Sequence, residues 1–122
     1  MSYRKNFGRW GEDYAAGYLT QQGYAIIGRN VRTPYGEIDL IAMDGDVIVF
    51  IEVKTRSSKT YGYPEEAITK RKTNHMLASA QSYLQENPEL CGDWRWDVMA
   101  IQSQPTLGDI EVVHFKNVIH GI

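Results

Sequence analysis

The sequence predicts an α/β fold in which helices flank a mixed central sheet. Residues 6–22 and the segment that begins at Pro64 have the apolar spacing of amphipathic helices, and the segments between and after them have the composition of strands. A β-hairpin followed by a helix and a further strand gives a sheet with both parallel and antiparallel neighbours. A chain of 122 residues suffices for one compact core, so residues 1–122 are expected to form a single domain.

The first predicted helix runs from Asn6 to Gln22. Its apolar residues recur at steps of three and four, and Gly23 follows as a stop signal. Glu12 precedes Ala16 by about one helical turn and therefore borders the buried face of the helix. This position directs the Glu12 carboxylate toward the core side rather than away from it.

Three strands are predicted next, in the segments YAIIGRNVR, GEIDLIAMD and DVIVFIEVKTR. The dipeptide Asp44–Gly45 separates the second from the third and is typical of a hairpin turn. A two-residue turn centred on this dipeptide would place Asp39 opposite Phe50. The same register would place Glu37 opposite Glu52. Four charged side chains would then share one face of the hairpin: Glu37, Asp39, Glu52 and Lys54.

This charged face has two interpretations. Glu52 and Lys54 could lie on a solvated face, where ion pairs contribute little to stability. The segment VIVFIEV, however, is apolar on both faces, as in a central strand, and like charges directly opposite each other repel. Adjacent, partly buried carboxylates need a cation, and an all-oxygen ligand set selects a hard ion such as Mg²⁺ or Mn²⁺. A lysine beside that ion suits phosphoryl chemistry, because it stabilises charge on a phosphate or helps to deprotonate an attacking water.

The second half of the chain supplies a helix and two more strands. Pro64, followed by Glu65 and Glu66, is a favourable helix start, and the segment ENPEL ends the helix before Cys91. The segments DWRWDVMAI and IEVVHFKNVI alternate as strands do. Asp97, in the first of them, is expected to form a structural ion pair with an arginine.

Composition excludes several classes of protein. No apolar run approaches the ~20 residues that span a bilayer, and the charged N-terminal segment is unlike a signal peptide, so a cytoplasmic protein is expected. One cysteine excludes a disulfide framework, and three scattered histidines suggest neither a zinc site nor a catalytic triad. The formal charge of −2 is uneven: residues 1–72 hold 11 basic and 9 acidic residues, whereas residues 73–122 hold 2 and 6. The N-terminal part is therefore the basic side.

Asp39, then twelve residues, then Glu52-Val53-Lys54 form a pattern similar to the acid and Glu-x-Lys motif of the PD-(D/E)XK nuclease superfamily. It is accompanied by the segments GRWGEDYAAGYL, GRNVRTPYGEIDLIA, VFIEVKTR, PEEAITKRK and RWDVMAI. Together these resemble the YraN family of small bacterial proteins, which are similar to archaeal Holliday-junction resolvases. Ile38 stands where the superfamily's name has proline, at a position that varies among its members. The resemblance covers residues 8–101 and implies a restriction-endonuclease-like core with the element order α-β-β-β-α-β.

The resemblance implies a metal-dependent endonuclease that hydrolyses DNA phosphodiesters, on branched or damaged DNA, with Mg²⁺ or Mn²⁺ as cofactor. The metal ligands would be Glu12, Asp39 and Glu52, and the catalytic residues Asp39, Glu52 and Lys54. In this scheme Lys54 assists the attacking water. Glu37 is either a further metal-side or second-sphere acid or only a salt-bridge partner. The alternative is a non-catalytic nucleic-acid or protein-binding module that retains the nuclease fold.

Basic residues flank the predicted site and are candidate DNA phosphate contacts: Arg56, Lys59, Lys70 and Lys72. Lys72 is favoured because its spacing to Met76 and Ala80 turns it toward the sheet. Tyr61 and Tyr63 are candidates for stacking on unpaired bases. A junction-cutting enzyme is expected to act as a homodimer, because a two-fold pair of active sites matches a two-fold substrate.

Overall fold

A computed structural model of the chain describes residues 3–56, 69–104 and 109–119. Within these ranges the elements are α1 (Tyr3–Gln21), β1 (Ala25–Thr33), β2 (Gly36–Asp44), β3 (Val47–Arg56), α2 (Lys70–Glu86), β4 (Trp94–Gln104) and β5 (Asp109–Phe115). The predicted α/β class is confirmed, and the element order is consistent with a restriction-endonuclease-like α-β-β-β-α-β core. In the described ranges, neither helix has the length and apolar character needed to cross a membrane.

The described strands form one mixed sheet in the order β1-β2-β3-β4-β5. The neighbours are antiparallel except for β3 and β4, which run parallel and are separated along the chain by α2. β3 therefore has a strand on each side and lies at the centre of the sheet. This position explains why its sequence is apolar on both faces.

Each helix covers one face of the sheet, and a hydrophobic core lies under each. The core under α1 contains Ala15, Leu19, Tyr24, Leu40, Ala42, Val49, Ile51, Met99 and Ile101. The core under α2 contains Ile38, Ile41, Ile48, Phe50, Met76, Ala80, Trp96 and Ile119. The indole N–H of Trp96 donates to the carbonyl oxygen of Met76 at 3.0 Å, which ties β4 to α2. Trp96 is thus a packing residue, as is usual for a buried tryptophan.

Gly11 allows α1 to approach the sheet closely. A Cβ atom at this position would overlap Oγ1 of Thr55 on β3. The helix can therefore pack against the end of β3 only because residue 11 has no side chain. This close approach places the next residue, Glu12, within electrostatic reach of Asp39.

The turn between β2 and β3 is not the predicted one. Asp44 pairs with Val47, so the turn consists of Gly45 and Asp46. Gly45 has a φ of +60°, which glycine adopts without steric strain. Asp44 stays in the strand, where its carboxylate accepts a hydrogen bond from Arg95 Nη1 at 3.3 Å. Arg95 on β4 therefore favours the observed turn over the predicted one.

This turn shifts the hairpin register by two residues. Phe50 pairs with Ile41, so the predicted pairing of Asp39 with Phe50 is wrong. The predicted pairing of Glu37 with Glu52 is wrong for the same reason. Because the shift is an even number of residues, the division of β3 side chains between the two faces is unchanged.

α2 begins at Lys70, one residue after the N-cap Thr69. The Thr69 hydroxyl oxygen accepts a hydrogen bond from the backbone N–H of Lys72 at 3.1 Å, which is the usual bond of an N-cap threonine. The helix ends at Glu86, within the predicted region. The predicted start at Pro64 lies outside the described residues.

Asp97 on β4 is fully buried and forms the ion pair with arginine that the sequence predicts. Its carboxylate accepts from Arg95 Nε at 3.0 Å and from the backbone N–H of Asn117 at 2.8 Å, and lies 2.7 Å from His114 Nε2. Burial alone would raise the pKa of Asp97, but these hydrogen bonds outweigh it and hold the pKa below its ordinary value. The network ties β4 to β5 and to the segment after it.

Candidate functional site

Asp39 lies where β2 and β3 stop pairing. The ladder between them ends at Leu40 and Ile51, and the backbone N–H of Val53 donates to Asp39 Oδ2 at 2.8 Å. The alternation of β2 is interrupted here as well, because Ile38 and Leu40 are two residues apart yet pack into opposite cores. Because the strands separate here, the Val53 N–H is free to donate to Asp39, and this hydrogen bond holds the carboxylate in place.

The pKa of Asp39 is raised to about 6 by several causes together, of which burial is the largest. The hydrogen bond from Val53 opposes this shift, whereas the nearby carboxylates of Glu12, Glu52 and Glu37 raise the pKa further. The structure therefore brings the other three predicted carboxylates within electrostatic reach of Asp39. A cation among them would relieve the repulsion that raises this pKa.

Glu52 is held through one of its two carboxylate oxygens. Oε1 lies 2.5 Å from Lys72 Nζ and 3.4 Å from Lys54 Nζ. Oε2 is buried and has no hydrogen-bond partner in the described part of the chain. Because the Glu52 side chain is only 16% exposed, water does not readily replace the missing partner. Oε2 is therefore available to a further ligand.

The two lysines reach Glu52 from different elements. Lys54 follows Glu52 by two residues on β3, so the alternation of a strand puts both side chains on one face. Lys72 comes from the first turn of α2 and faces the sheet, as its spacing predicts. Its contact with Glu52 is not predicted from the sequence, because periodicity gives the orientation of a helix but not its place above the sheet.

Glu12 is half-buried on α1. Burial raises its pKa, a hydrogen bond with the Asn30 side chain opposes this, and the nearby Glu37 carboxylate raises the pKa further. Asn30 has a φ of +50°, which asparagine tolerates better than most residues. The sequence analysis does not predict Asn30 as a residue of the site. The one sequence signal for it is that asparagine, more than most residues, tolerates a positive φ.

Glu37 lies at the exposed edge of the site. Its side chain is 44% exposed, and its Oε2 is 3.8 Å from Arg32 Nε. An exposed pair at this distance contributes little to stability. Glu37 also raises the pKa of Glu12 and of Asp39, so its role as a metal-side acid stays a prediction beside this salt bridge.

A cavity of about 170 Å³ adjoins the site between α2 and the ends of β2 and β3. Its walls include Tyr35, Glu37, Glu52, Lys72, Met76 and Trp96. An engineered cavity of about 150 Å³ in another protein holds benzene. The space beside Glu52 and Lys72 is therefore large enough for a phosphate group.

The donor atoms suit a hard divalent cation. Every predicted ligand is a carboxylate, and Glu52 offers a buried oxygen with no partner in the described ranges. In those same ranges, however, no three carboxylate, histidine or cysteine side chains come together closely enough to hold a metal ion. The residues thus fit a cation by their chemistry, while in this conformation Glu52 is neutralised by Lys54 and Lys72.

Two of the other candidate DNA contacts lie on the elements that carry the site. Lys70 is exposed at the start of α2, and Arg56 is half-buried at the end of β3. Lys59 lies outside the described residues, as do the stacking candidates Tyr61 and Tyr63. Among the described candidates, Lys72 has the direct contact with Glu52.

A protein-family model described as "Uncharacterised protein family UPF0102" matches residues 11–101 of the chain. This range includes the carboxylates and lysines described above: Glu12, Glu37, Asp39, Glu52, Lys54 and Lys72. The match therefore spans the whole candidate site and most of the sheet.

Several proteins, each called a UPF0102 protein, are similar over most of the chain. One from Syntrophotalea carbinolica is 45% identical over 117 residues, which cover 94% of this chain and 93% of the relative. One from Symbiobacterium thermophilum is 43% identical over 120 residues, covering 96% and 98%. One from Dehalococcoides mccartyi is 50% identical over 88 residues, covering 71% and 73%. The similarity thus extends across nearly the full length of two of these relatives.

Proposed function

The chain belongs to the uncharacterised protein family UPF0102, and we propose that it is a metal-dependent endonuclease that hydrolyses phosphodiester bonds in branched or damaged DNA. One observation carries the proposal. The Val53 N–H holds Asp39 where β2 and β3 separate, and Asp39 lies within electrostatic reach of Glu52. The buried Oε2 of Glu52 has no partner in the described ranges, and Lys54 lies beside Glu52 Oε1. Partly buried carboxylates that raise each other's pKa, with an ammonium beside them, are a costly arrangement that phosphoryl chemistry uses.

The element order supports a place for the chain in the PD-(D/E)XK nuclease superfamily, close to the YraN proteins. Asp39 stands on β2, and Glu52 and Lys54 stand on β3, the two strands that carry the acid and the Glu-x-Lys motif in that superfamily. Glu12 stands on α1, within electrostatic reach of Asp39. The same positions follow from the spacing of these residues in the sequence.

Asp39 and Glu52 would hold Mg²⁺ or Mn²⁺, with Glu12 in support. When bound, such a cation neutralises phosphate charge and makes an attacking water more acidic. Asp39 is kept in place for this role by the backbone N–H of Val53. Within the described ranges Glu52 Oε2 has no partner, so it is the oxygen with the most to gain from a cation.

Lys54 would act on the reacting groups. Its ammonium, 3.4 Å from Glu52 Oε1, can donate to a non-bridging phosphate oxygen or orient the attacking water. This role needs no covalent bond between enzyme and DNA. Arg56, Lys70 and Lys72 would contact phosphates that flank the bond to be cut, and a homodimer would present two such sites to a branched substrate.

The non-catalytic binding module remains the second candidate, and one observation favours it. Lys54 and Lys72 already neutralise Glu52, so the fold does not require a metal to compensate this carboxylate. A module of this kind would bind DNA equally well after Asp39→Asn but less well after Lys70→Ala. Its binding would also weaken steeply with salt.

A cleavage assay on duplex, nicked, flapped and four-way DNA, with Mg²⁺ or Mn²⁺, tests the nuclease proposal. The wild-type protein is expected to cut at least one substrate, and Asp39→Asn and Lys54→Ala are expected to lose at least about 100-fold in rate. Glu12→Gln is expected to cut more slowly than wild type, because Glu12 supports the metal. Asp13→Asn is its matched control, because Asp13 follows Glu12 on α1 but pairs with Arg29. No cleavage of any substrate, together with variants that behave as the wild type, would contradict catalysis.

A further inference from the structure

Two lysine ammonium groups contact the same carboxylate oxygen of Glu52. Oε1 has the Lys72 ammonium at 2.5 Å and the Lys54 ammonium at 3.4 Å, while Oε2 has no partner in the described part of the chain. Two positive charges therefore lie beside a carboxylate that a metal site would also use. This arrangement is favourable without a metal and unfavourable with one, because like charges in a partly buried site repel.

We propose that Lys72 is a positioning residue that occupies Glu52 in the metal-free protein and leaves it when a divalent cation binds, its ammonium then passing to a DNA phosphate. The inference rests on the proposed function and assigns Lys72 a second role in it. It makes Glu52 a carboxylate with two alternative counter-ions, one from the chain and one from solution.

The geometry selects Lys72 rather than Lys54 as the lysine that leaves. Lys54 is two residues from Glu52 on the same strand, so the backbone keeps the two side chains on one face whatever the ligand. Lys72 reaches Glu52 from α2, across the space between helix and sheet. Its long side chain is 38% exposed, so its ammonium can turn away from Glu52 while the helix stays in place.

The cavity beside the site has room for the Lys72 ammonium after it leaves Glu52. Lys72 and Glu52 both line the same space of about 170 Å³, next to Tyr35 and Glu37. A phosphate that entered this space would offer Lys72 a new anionic partner at the moment when a cation takes Glu52.

The exchange couples metal and DNA. If a phosphate draws Lys72 away from Glu52, DNA makes the divalent cation bind more tightly, and the cation makes DNA bind more tightly by the same factor. Removing the Lys72 charge separates these effects. Metal affinity without DNA should rise, because the competing cation is gone, whereas DNA affinity should fall, because a phosphate contact is lost.

The test is a Mn²⁺ titration of the full chain by isothermal calorimetry, without DNA, for wild type, Lys72→Met and Lys72→Arg. Lys70→Met is the matched control, since Lys70 is exposed on the same helical turn. Lys72→Met is expected to bind Mn²⁺ about fivefold more tightly or better than wild type, whereas Lys72→Arg and Lys70→Met are expected to bind as wild type does. A residue that only supports the fold would not increase metal affinity when removed.

An unchanged or weaker Mn²⁺ affinity in folded Lys72→Met would overturn the proposal for Lys72 while leaving the nuclease proposal intact if wild type binds Mn²⁺. Absence of Mn²⁺ binding to wild type and all variants would overturn both. If Lys72→Met does not fold, NMR of ¹³C-lysine-labelled wild type gives the same answer. The Lys72 side-chain signal should shift on addition of Mg²⁺ while that of Lys70 does not, and a Lys72 signal that stays in place would contradict the exchange.

Discussion

The backbone N–H of Val53 donates to the carboxylate of Asp39 at 2.8 Å, although the two residues lie on strands that no longer pair at this point. The Asp39 carboxylate thus accepts a hydrogen bond from a backbone N–H that has no backbone partner on β2. The result is a carboxylate fixed in a half-buried position among three others, which raises its pKa to about 6. The irregular end of the β2–β3 hairpin is therefore what creates the site.

The raised pKa of Asp39 predicts that stability falls as pH rises. The folded protein binds this proton more tightly than the unfolded chain, whose aspartate has the ordinary pKa of 3.8. Between pH 3.8 and about 6 the folded state therefore holds more protons, and the free energy of unfolding decreases with pH. Asp39→Asn removes this loss and should raise the metal-free free energy of unfolding at pH 8 by about 2–3 kcal/mol, with little gain at pH 4.

Urea unfolding followed by circular dichroism at pH 4 and pH 8, with a chelator present, measures this effect. Asp46→Asn is the control, because Asp46 is exposed in the β2–β3 turn. If the Asp39→Asn variant is instead less stable than wild type at pH 8, the hydrogen bond from Val53 outweighs burial and repulsion, contrary to the direction of the pKa shift.

Replacing Gly11 or Gly17 of α1 by alanine should change the free energy of unfolding in opposite directions. Gly11→Ala should reduce the free energy of unfolding by about 1–3 kcal/mol, because its Cβ would overlap Thr55 Oγ1. Gly17→Ala, on the same helix, meets no atom within 4 Å and should stabilise the protein by about 0.5–1 kcal/mol, since alanine favours helices. Equal effects of the two changes in urea unfolding would contradict the close approach of α1 to β3.

The sequence predicts β2 at its observed bounds but gives the wrong register for its hairpin. Strand bounds depend on local alternation and turn residues, and these are present in the segment from Gly36 to Asp44. The turn, by contrast, can be centred on either side of Gly45 without changing the local pattern. Arg95 on β4 favours the observed turn by pairing with Asp44, 51 residues earlier in the chain, and such a contact leaves no trace in a local pattern.

For the candidate site too, the sequence predicts some features and not others. The spacing of Glu52 and Lys54 on one strand, and the helical spacing of Lys72, give the faces on which these side chains lie. The pairing of Lys72 with Glu52 depends on where α2 sits above the sheet, which the apolar cores determine together. Sequence patterns therefore predict orientations, whereas contacts between separate elements require the assembled fold.

Asp97 predicts a stability effect that is independent of the candidate site. Asp97→Ala should reduce the free energy of unfolding by about 3–5 kcal/mol, because it leaves Arg95 and the Asn117 N–H without their buried acceptor. The pKa of Asp97 lies below 3.8, so its contribution is present above pH 3.8 and is lost as pH falls below that value. Asp93→Ala, at an exposed position, is the control. Urea unfolding that shows equal stability for the two variants at neutral pH would contradict this network.

Divalent cations are expected to stabilise the protein through Glu52. A cation at about 100 times its dissociation constant adds about 2.7 kcal/mol to the free energy of unfolding, which corresponds to a rise of several degrees in Tm. Thermal unfolding with and without Mn²⁺ should show this rise for wild type but not for Glu52→Gln, because Glu52 Oε2, which has no partner among the described residues, is the oxygen that gains one. Glu37→Gln should keep the rise if Glu37 serves only as the salt-bridge partner of Arg32. A wild-type Tm that Mn²⁺ leaves unchanged would contradict a metal site, because a bound cation must stabilise the folded state that binds it.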